Sequence, residues 1–88
     1  MPHDVDARIN LSNLLLRAGD RTGALEQLDS ALSFEPNSVD IRYRLAKVLL
    51  SVDRAVEANR HLRLILQRDA THEGALSLLA ESPVSAQF

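Results

Sequence analysis

Catalysis needs nucleophiles, proton carriers or metal ligands brought together, and this sequence scatters them. Its three histidines, His3, His61 and His72, fall in a polar terminus, a helical stretch and a turn. Glu57 and His61 stand one helical turn apart and can meet on a surface. Two ligands without a third or fourth make a poor zinc site. The absence of cysteine excludes disulfide frameworks, thiolate zinc sites and cysteine nucleophiles. Several serines occur, yet no strand-turn-helix elbow surrounds them, and Gly23 and Gly74 are isolated rather than part of a phosphate-cradling loop. The chain therefore reads as a non-enzyme, with no catalytic residue, metal or cofactor expected.

Binding chemistry has more to work with. The 88 residues carry a formal net charge of −2, unevenly spread. Residues 1–38 hold three arginines against six acids, whereas residues 39–72 hold Arg42, Arg44, Lys47, Arg54, Arg60, Arg63 and Arg68 against four acids. Regions of opposite sign can steer a partner or a second copy into register, although helix faces also carry charge for solubility. Phe34, Tyr43 and Phe88 are the only aromatics, too few to interleave with the basic residues as base-stacking platforms. Mild acidity adds to the case against nucleic acid. No apolar run approaches the length of a membrane span, and the acidic N-terminus does not resemble a signal peptide. A cytoplasmic protein with no nucleic-acid or membrane partner is the expectation.

The elements that must position these residues are helices. Setting the sequence against itself with Val5 over Val39 aligns Val5-Asp6 with Val39-Asp40, Arg8 with Arg42, Leu11 with Leu45 and Leu15-Leu16 with Leu49-Leu50. The same shift aligns Ala24 with Ala58, Leu28 with Leu62 and Leu32 with Leu66, making nine identities. A partial third copy starts with Leu79-Ala80 repeating Leu45-Ala46. Within each copy apolar residues recur at helical spacing: Leu11, Leu14, Leu15 and Ala18, then Ala24, Leu25, Leu28, Ala31 and Leu32. Gly19 can end one helix and Asp20 cap the next; Pro36 stops the second, and Asn37 or Ser38 can cap the third. Five helices are predicted, over 5–18, 22–34, 38–51, 54–68 and 72–81. Connections this short force antiparallel hairpins. The tail 82–88 lacks periodicity and is expected to fray, with Pro83 closing the last helix.

A helix pair that recurs with a period of about 34 residues resembles the tetratricopeptide repeat. Gly19 stands at the family's turn glycine, Ala24 and Ala31 at its small positions in the second helix, and Pro36 at its terminal proline. Arg8 and Leu15 replace the usual aromatics. The second copy departs further: Asp53 replaces the turn glycine, Ile65 a small residue, and Ala70 the proline. Asp tolerates the left-handed region, so the turn should survive. The resemblance implies one all-α domain over 1–88, a right-handed superhelical α-solenoid of antiparallel hairpins. Its repeats would be 5–38 and 39–72, followed by a capping helix over 72–81. That helix is expected to lay Ala75, Leu76 and Leu79 on Leu62 and Leu66.

The resemblance also implies a concave face, formed by the first helix of each pair, that receives a peptide or helix of another protein. By register its residues would be Asp6, Ile9, Asn13, Leu16 and Arg17, then Asp40, Tyr43, Lys47 and Leu50. Tyr43 would anchor, and Lys47 and Arg17 would meet acidic groups. The family's clamp for chaperone C-terminal carboxylates is missing. Asn13 fits it, but Ile9, Arg44, Gly74 and Leu78 occupy its other places. Two other readings stand beside groove binding: self-assembly through exposed repeat ends, and a regulatory or targeting role within a larger protein carrying an enzyme domain.

Overall fold

The computed structural model describes residues 4–82; Pro83 and Phe88, read above as a helix stop and an aromatic, lie outside them. Among the described residues there are five helices and no strand: α1 (Val5–Arg17), α2 (Arg21–Phe34), α3 (Val39–Ser51), α4 (Ala55–Arg68) and α5 (Glu73–Glu81). Each boundary falls within one residue of its predicted place. The reason lies in local chemistry at the helix ends. Asp4 Oδ1 accepts from the Ala7 N–H at 3.0 Å, Asp20 Oδ1 from Gly23 at 2.8 Å, and Ser38 Oγ from Ile41 at 3.1 Å. His72 Nδ1 does the same for Ala75 at 3.0 Å. Each satisfies one of the amides that a helix start leaves without a partner. Helix α4 begins at Arg54 with no side-chain cap.

Both hairpins turn in the same way. Gly19 takes φ +83°, the Asp20 N–H donates to Leu15 O at 2.8 Å, and the Gly19 N–H to Leu16 O at 3.0 Å. At the equivalent place in the second copy, Asp53 takes φ +61°, while Arg54 and Asp53 donate to Leu49 O and Leu50 O at 2.9 and 3.3 Å. This paired hydrogen-bond arrangement satisfies the last carbonyls of a helix and needs a left-handed residue to close it. The aspartate makes the turn that Gly19 makes in the first copy, as expected.

Consecutive helices pack against one another, and the body measures 42 × 27 × 17 Å. Ala24, Ala31 and Ala58 are buried where the helices of a hairpin approach, as are Ser12 and Ala46 on the facing helices. A bulkier side chain there would hold the helices apart. Leu28, Leu45, Leu49, Leu62 and Ile65 fill the interior between hairpins. Equivalent positions of the two copies differ sharply in exposure. Leu45 is 1% exposed and Leu11 42%; Val48 is 5% exposed and Leu14 57%. The second copy is covered by the first, and nothing among the described residues covers the first. Of the predicted α1 stripe only Leu15 is half-buried, while Leu11, Leu14 and Ala18 are exposed; Ser12, outside the stripe, is the buried residue of α1. In α5, Ala75, Leu78 and Leu79 pack on the core while Leu76 stays exposed. Leu78 thus takes the place expected of Leu76.

Candidate functional site

Helices α1 and α3 lie alongside one another over the start of α2 and leave a cleft of about 340 Å³ between them. Leu16, Leu28 and Val48 give it apolar surface; Ser12, Asn13 and Ser51 give hydroxyl and amide groups; Arg21, Arg44 and Lys47 give cationic ones. Each wall has a local cause. Helical spacing sets Asn13 and Leu16 on one line of α1, and Arg44, Lys47, Val48 and Ser51 on adjoining lines of α3. Arg21 arrives because α2 begins directly after the Asp20 cap. Among the described residues no acid lines this cleft, so a partner's carboxylate would be drawn to it, more strongly at low salt.

Two of the three cations are loosely committed. Arg44 Nε donates to Asp40 Oδ2 at 3.1 Å in an exposed i,i+4 pair, an arrangement that water and salt weaken. Lys47 Nζ stands 4.8 Å from the centre of the Tyr43 ring, a contact that orients the ammonium without neutralising it. Beyond Lys47 a second depression of about 360 Å³ opens between α3 and α5, lined by Leu50, Ser51, Leu78, Glu81 and Ser82. Ser51 borders both hollows.

The nine residues expected on the concave face divide accordingly. Asn13, Leu16 and Lys47 meet in the cleft, and Leu50 lines the second hollow. Tyr43 is half-buried and lines neither hollow. Its ring lies 5.0 Å from that of His72, tilted by 57°, and so close over Gly74 that a Cβ there would meet the phenol carbon Cζ at 2.6 Å. The tyrosine therefore anchors α5 to α3. Asp40 holds Arg44. Asp6, Ile9 and Arg17 line neither hollow; Asp6 and Arg17 are exposed at the two ends of α1, and Ile9 is half-buried. Ser12, Arg21, Leu28, Arg44, Val48 and Ser51 were not expected. Ser12 had a signal, since the repeat pairs it with the small Ala46 and so places it at a close helix approach. Arg21 lies on a second helix and escapes a register drawn from first helices.

The Glu57–His61 contact that their spacing allows does not form as such. Glu57 takes a bidentate contact from Arg54, at 2.8 and 2.7 Å, and this hydrogen bond holds its carboxyl below the usual range. His61 Nδ1 faces Arg42 Nη1 at 3.0 Å. Burial, then the charge of Arg42, pushes the His61 imidazole below its ordinary value. Among the described residues no group of three or more histidines, aspartates or glutamates is placed to hold a metal ion, and no helix is long and apolar enough to cross a membrane.

No curated protein matches the sequence. A family model described as Tetratricopeptide repeat matches residues 15–82. It spans the Gly19 turn, both buried-alanine contacts, the repeated turn at Asp53 and the α5 cap. With that match covering most of its length and the hairpins stacked as described, the chain belongs to the tetratricopeptide repeat family.

Proposed function

We propose that this protein is an interaction module that takes a short segment of a partner protein in the cleft between α1 and α3, the segment pairing an aliphatic side chain with an acidic one. The observation that carries the reading is the cleft's composition: apolar surface from Leu16, Leu28 and Val48 beside Arg21, Arg44 and Lys47, with no carboxylate lining it among the described residues. An aliphatic group would remove apolar area from water, and its acidic neighbour would meet three cations. A longer segment crossing Ser51 would reach the second hollow, at Leu50 and Leu78. Family membership supports protein binding in general; the acidic-aliphatic preference rests on the cleft alone.

The test uses short peptides pairing leucine with glutamate, and matched peptides in which lysine replaces glutamate. Backbone amide shifts should move at Leu16, Lys47 and Val48 with the acidic peptides only. Lys47→Glu should weaken binding at least tenfold while leaving helicity unchanged. Binding that ignores Lys47→Glu, or that maps away from the cleft, would overturn the reading. Tyr43→Ala serves less well here, because it also releases α5.

Self-association is a second reading, favoured by the exposure of Leu11 and Leu14 where Leu45 and Val48 are covered. A second copy stacked there would extend the array by the contacts it already uses. Light scattering over a wide concentration range tests it. A mass above one chain that Leu14→Glu returns to one chain supports stacking at α1, and a constant monomer mass refutes it.

A further inference from the structure

The two repeats treat one corner of the fold differently. In the first, Arg8 Nη1 donates to Gln27 Oε1 at 3.3 Å, and its guanidinium lies 5.7 Å from the centre of the Phe34 ring. Moving on by one repeat maps Arg8 to Arg42, Gln27 to His61 and Phe34 to Arg68. The polar contact is kept, since Arg42 Nη1 lies 3.0 Å from His61 Nδ1. The aromatic ring is not, and a second guanidinium stands in its place. Where the first repeat has one cation against a ring, the second has two cations and an imidazole.

Nothing among the described residues neutralises the pair. Arg42 Nη2 donates to Pro36 O at 2.7 Å, and Arg68 Nη2 to Asn37 Oδ1 at 2.7 Å, both uncharged acceptors. Neither arginine takes part in a salt bridge among the described residues. The adjacent Asp69 is occupied, its Oδ1 accepting from the Thr71 N–H and hydroxyl at 3.2 and 3.0 Å. Burial and then the charge of Arg68 lower the proton affinity of Arg42, each disfavouring its charged form. Arg42, Arg68, Asn37 and Gln67 surround an open depression of about 480 Å³, with Leu64 at its side. None of these residues lines the cleft between α1 and α3.

We infer that this depression is an anion-binding pocket for a phosphate monoester dianion, held by Arg42 and Arg68 with the side-chain amides of Asn37 and Gln67 at its rim. The chemistry favours a dianion. The N–H groups that the two guanidiniums keep beyond their contacts with His61, Pro36 and Asn37 can meet three terminal oxygens, and two negative charges balance two positive ones. A single carboxylate would leave one arginine uncompensated. Inorganic phosphate and a phosphorylated side chain share this chemistry, and the experiment separates them.

Side-chain Nε resonances of Arg42 and Arg68 are followed while sodium phosphate is added near pH 7.5, with sodium chloride at matched ionic strength as the reference. Phosphate should shift both saturably and chloride neither. Arg68→Phe, which restores the first repeat's arrangement and should fold, should weaken binding about tenfold or more. It should also raise Tm in phosphate-free solution by removing the facing charges. Arg68→Gln should weaken binding likewise without adding a ring. A phosphoserine tripeptide is compared with its serine counterpart. Affinity equal to that for phosphate assigns the site to the free anion, and affinity at least tenfold higher assigns it to a phosphorylated chain. The inference is overturned if neither probe saturates, or if wild type and Arg68→Phe respond alike. The readout is independent of the α1–α3 cleft.

Discussion

Replacing Asp53 by glycine should make the protein more stable, although it removes a side chain and adds no contact. Asp53 is the non-glycine residue held at positive φ, +61°, among the described residues. A left-handed conformation costs an L-residue about 1–2 kcal/mol, with aspartate near the lower end. Glycine escapes that cost but gains freedom in the unfolded chain, which takes back roughly 0.4–1 kcal/mol. A further small loss comes from removing a negative charge beside the start of α4. The expected net is a gain of at most about 0.5 kcal/mol, a rise in Tm of no more than about 2–4 °C for a chain of this size. Asp53→Asn isolates the charge, since asparagine accepts the left-handed region, so the difference between the two variants reads the backbone alone. Gly19→Asp is the reciprocal experiment. An added Cβ at Gly19 meets nothing within 4 Å, so its cost is conformational and should lower Tm by a similar amount. Thermal unfolding by circular dichroism measures all three. If Asp53→Gly proves less stable than Asp53→Asn, or Gly19→Asp leaves Tm unchanged, the assignment of strain to this turn is wrong.

Other outcomes follow from the comparison of equivalent positions. Leu45→Ala should cost about 2–5 kcal/mol in chemical denaturation, whereas Leu11→Ala should cost well under about 1 kcal/mol, because only Leu45 is covered. Asp20→Ala should lose about 1 kcal/mol with its cap, and Arg54→Ser should raise Tm by giving α4 the cap it lacks. His61, half-buried and facing Arg42 and Arg60 with Asp29 and Glu57 nearby, has a lowered folded pKa. The unfolded chain therefore binds the extra proton first, so stability should fall as pH drops below about 6.5 towards the folded value. His61→Gln, which copies Gln27 of the first repeat, should flatten the slope due to this group. Tyr43 is the single tyrosine of the chain, which has no tryptophan. Its fluorescence should therefore report loss of the His72 and Gly74 contacts when His72→Ala loosens α5.

The helices were legible because their ends are written in single residues. Asp20 and Ser38 have short side chains suited to a helix-start amide, and Gly19 tolerates a conformation that few residues do. The internal repeat then carried the turn to Asp53 despite the changed residue. The cleft was legible in part. Asn13, Leu16 and Lys47 follow from the register of first helices, but that register cannot distinguish a side chain open to solvent from one engaged by another helix. Tyr43 was such a case, since its partner Gly74 lies on the third first-helix and becomes a neighbour only after stacking. Arg21 was invisible for the complementary reason, entering from a second helix. The exposure of Leu11 and Leu14 was hidden as well, because periodicity marks an apolar face without saying what lies against it.

That uncovered face has a consequence for how the cleft works. Helix α1 commits one fully buried residue, Ser12, whereas α3 commits Ile41, Leu45, Ala46, Val48 and Leu49. Local opening free energies follow buried contact, so amide exchange in α1 should run ahead of exchange in α3. The cleft therefore has one wall packed on both sides and one, α1, packed mainly along α2. An occupant would be gripped by a surface that it helps to order, trading some affinity for the freedom to admit segments of different girth. Slowed exchange across α1 on binding would then be a more sensitive sign of occupancy than any displacement of α3.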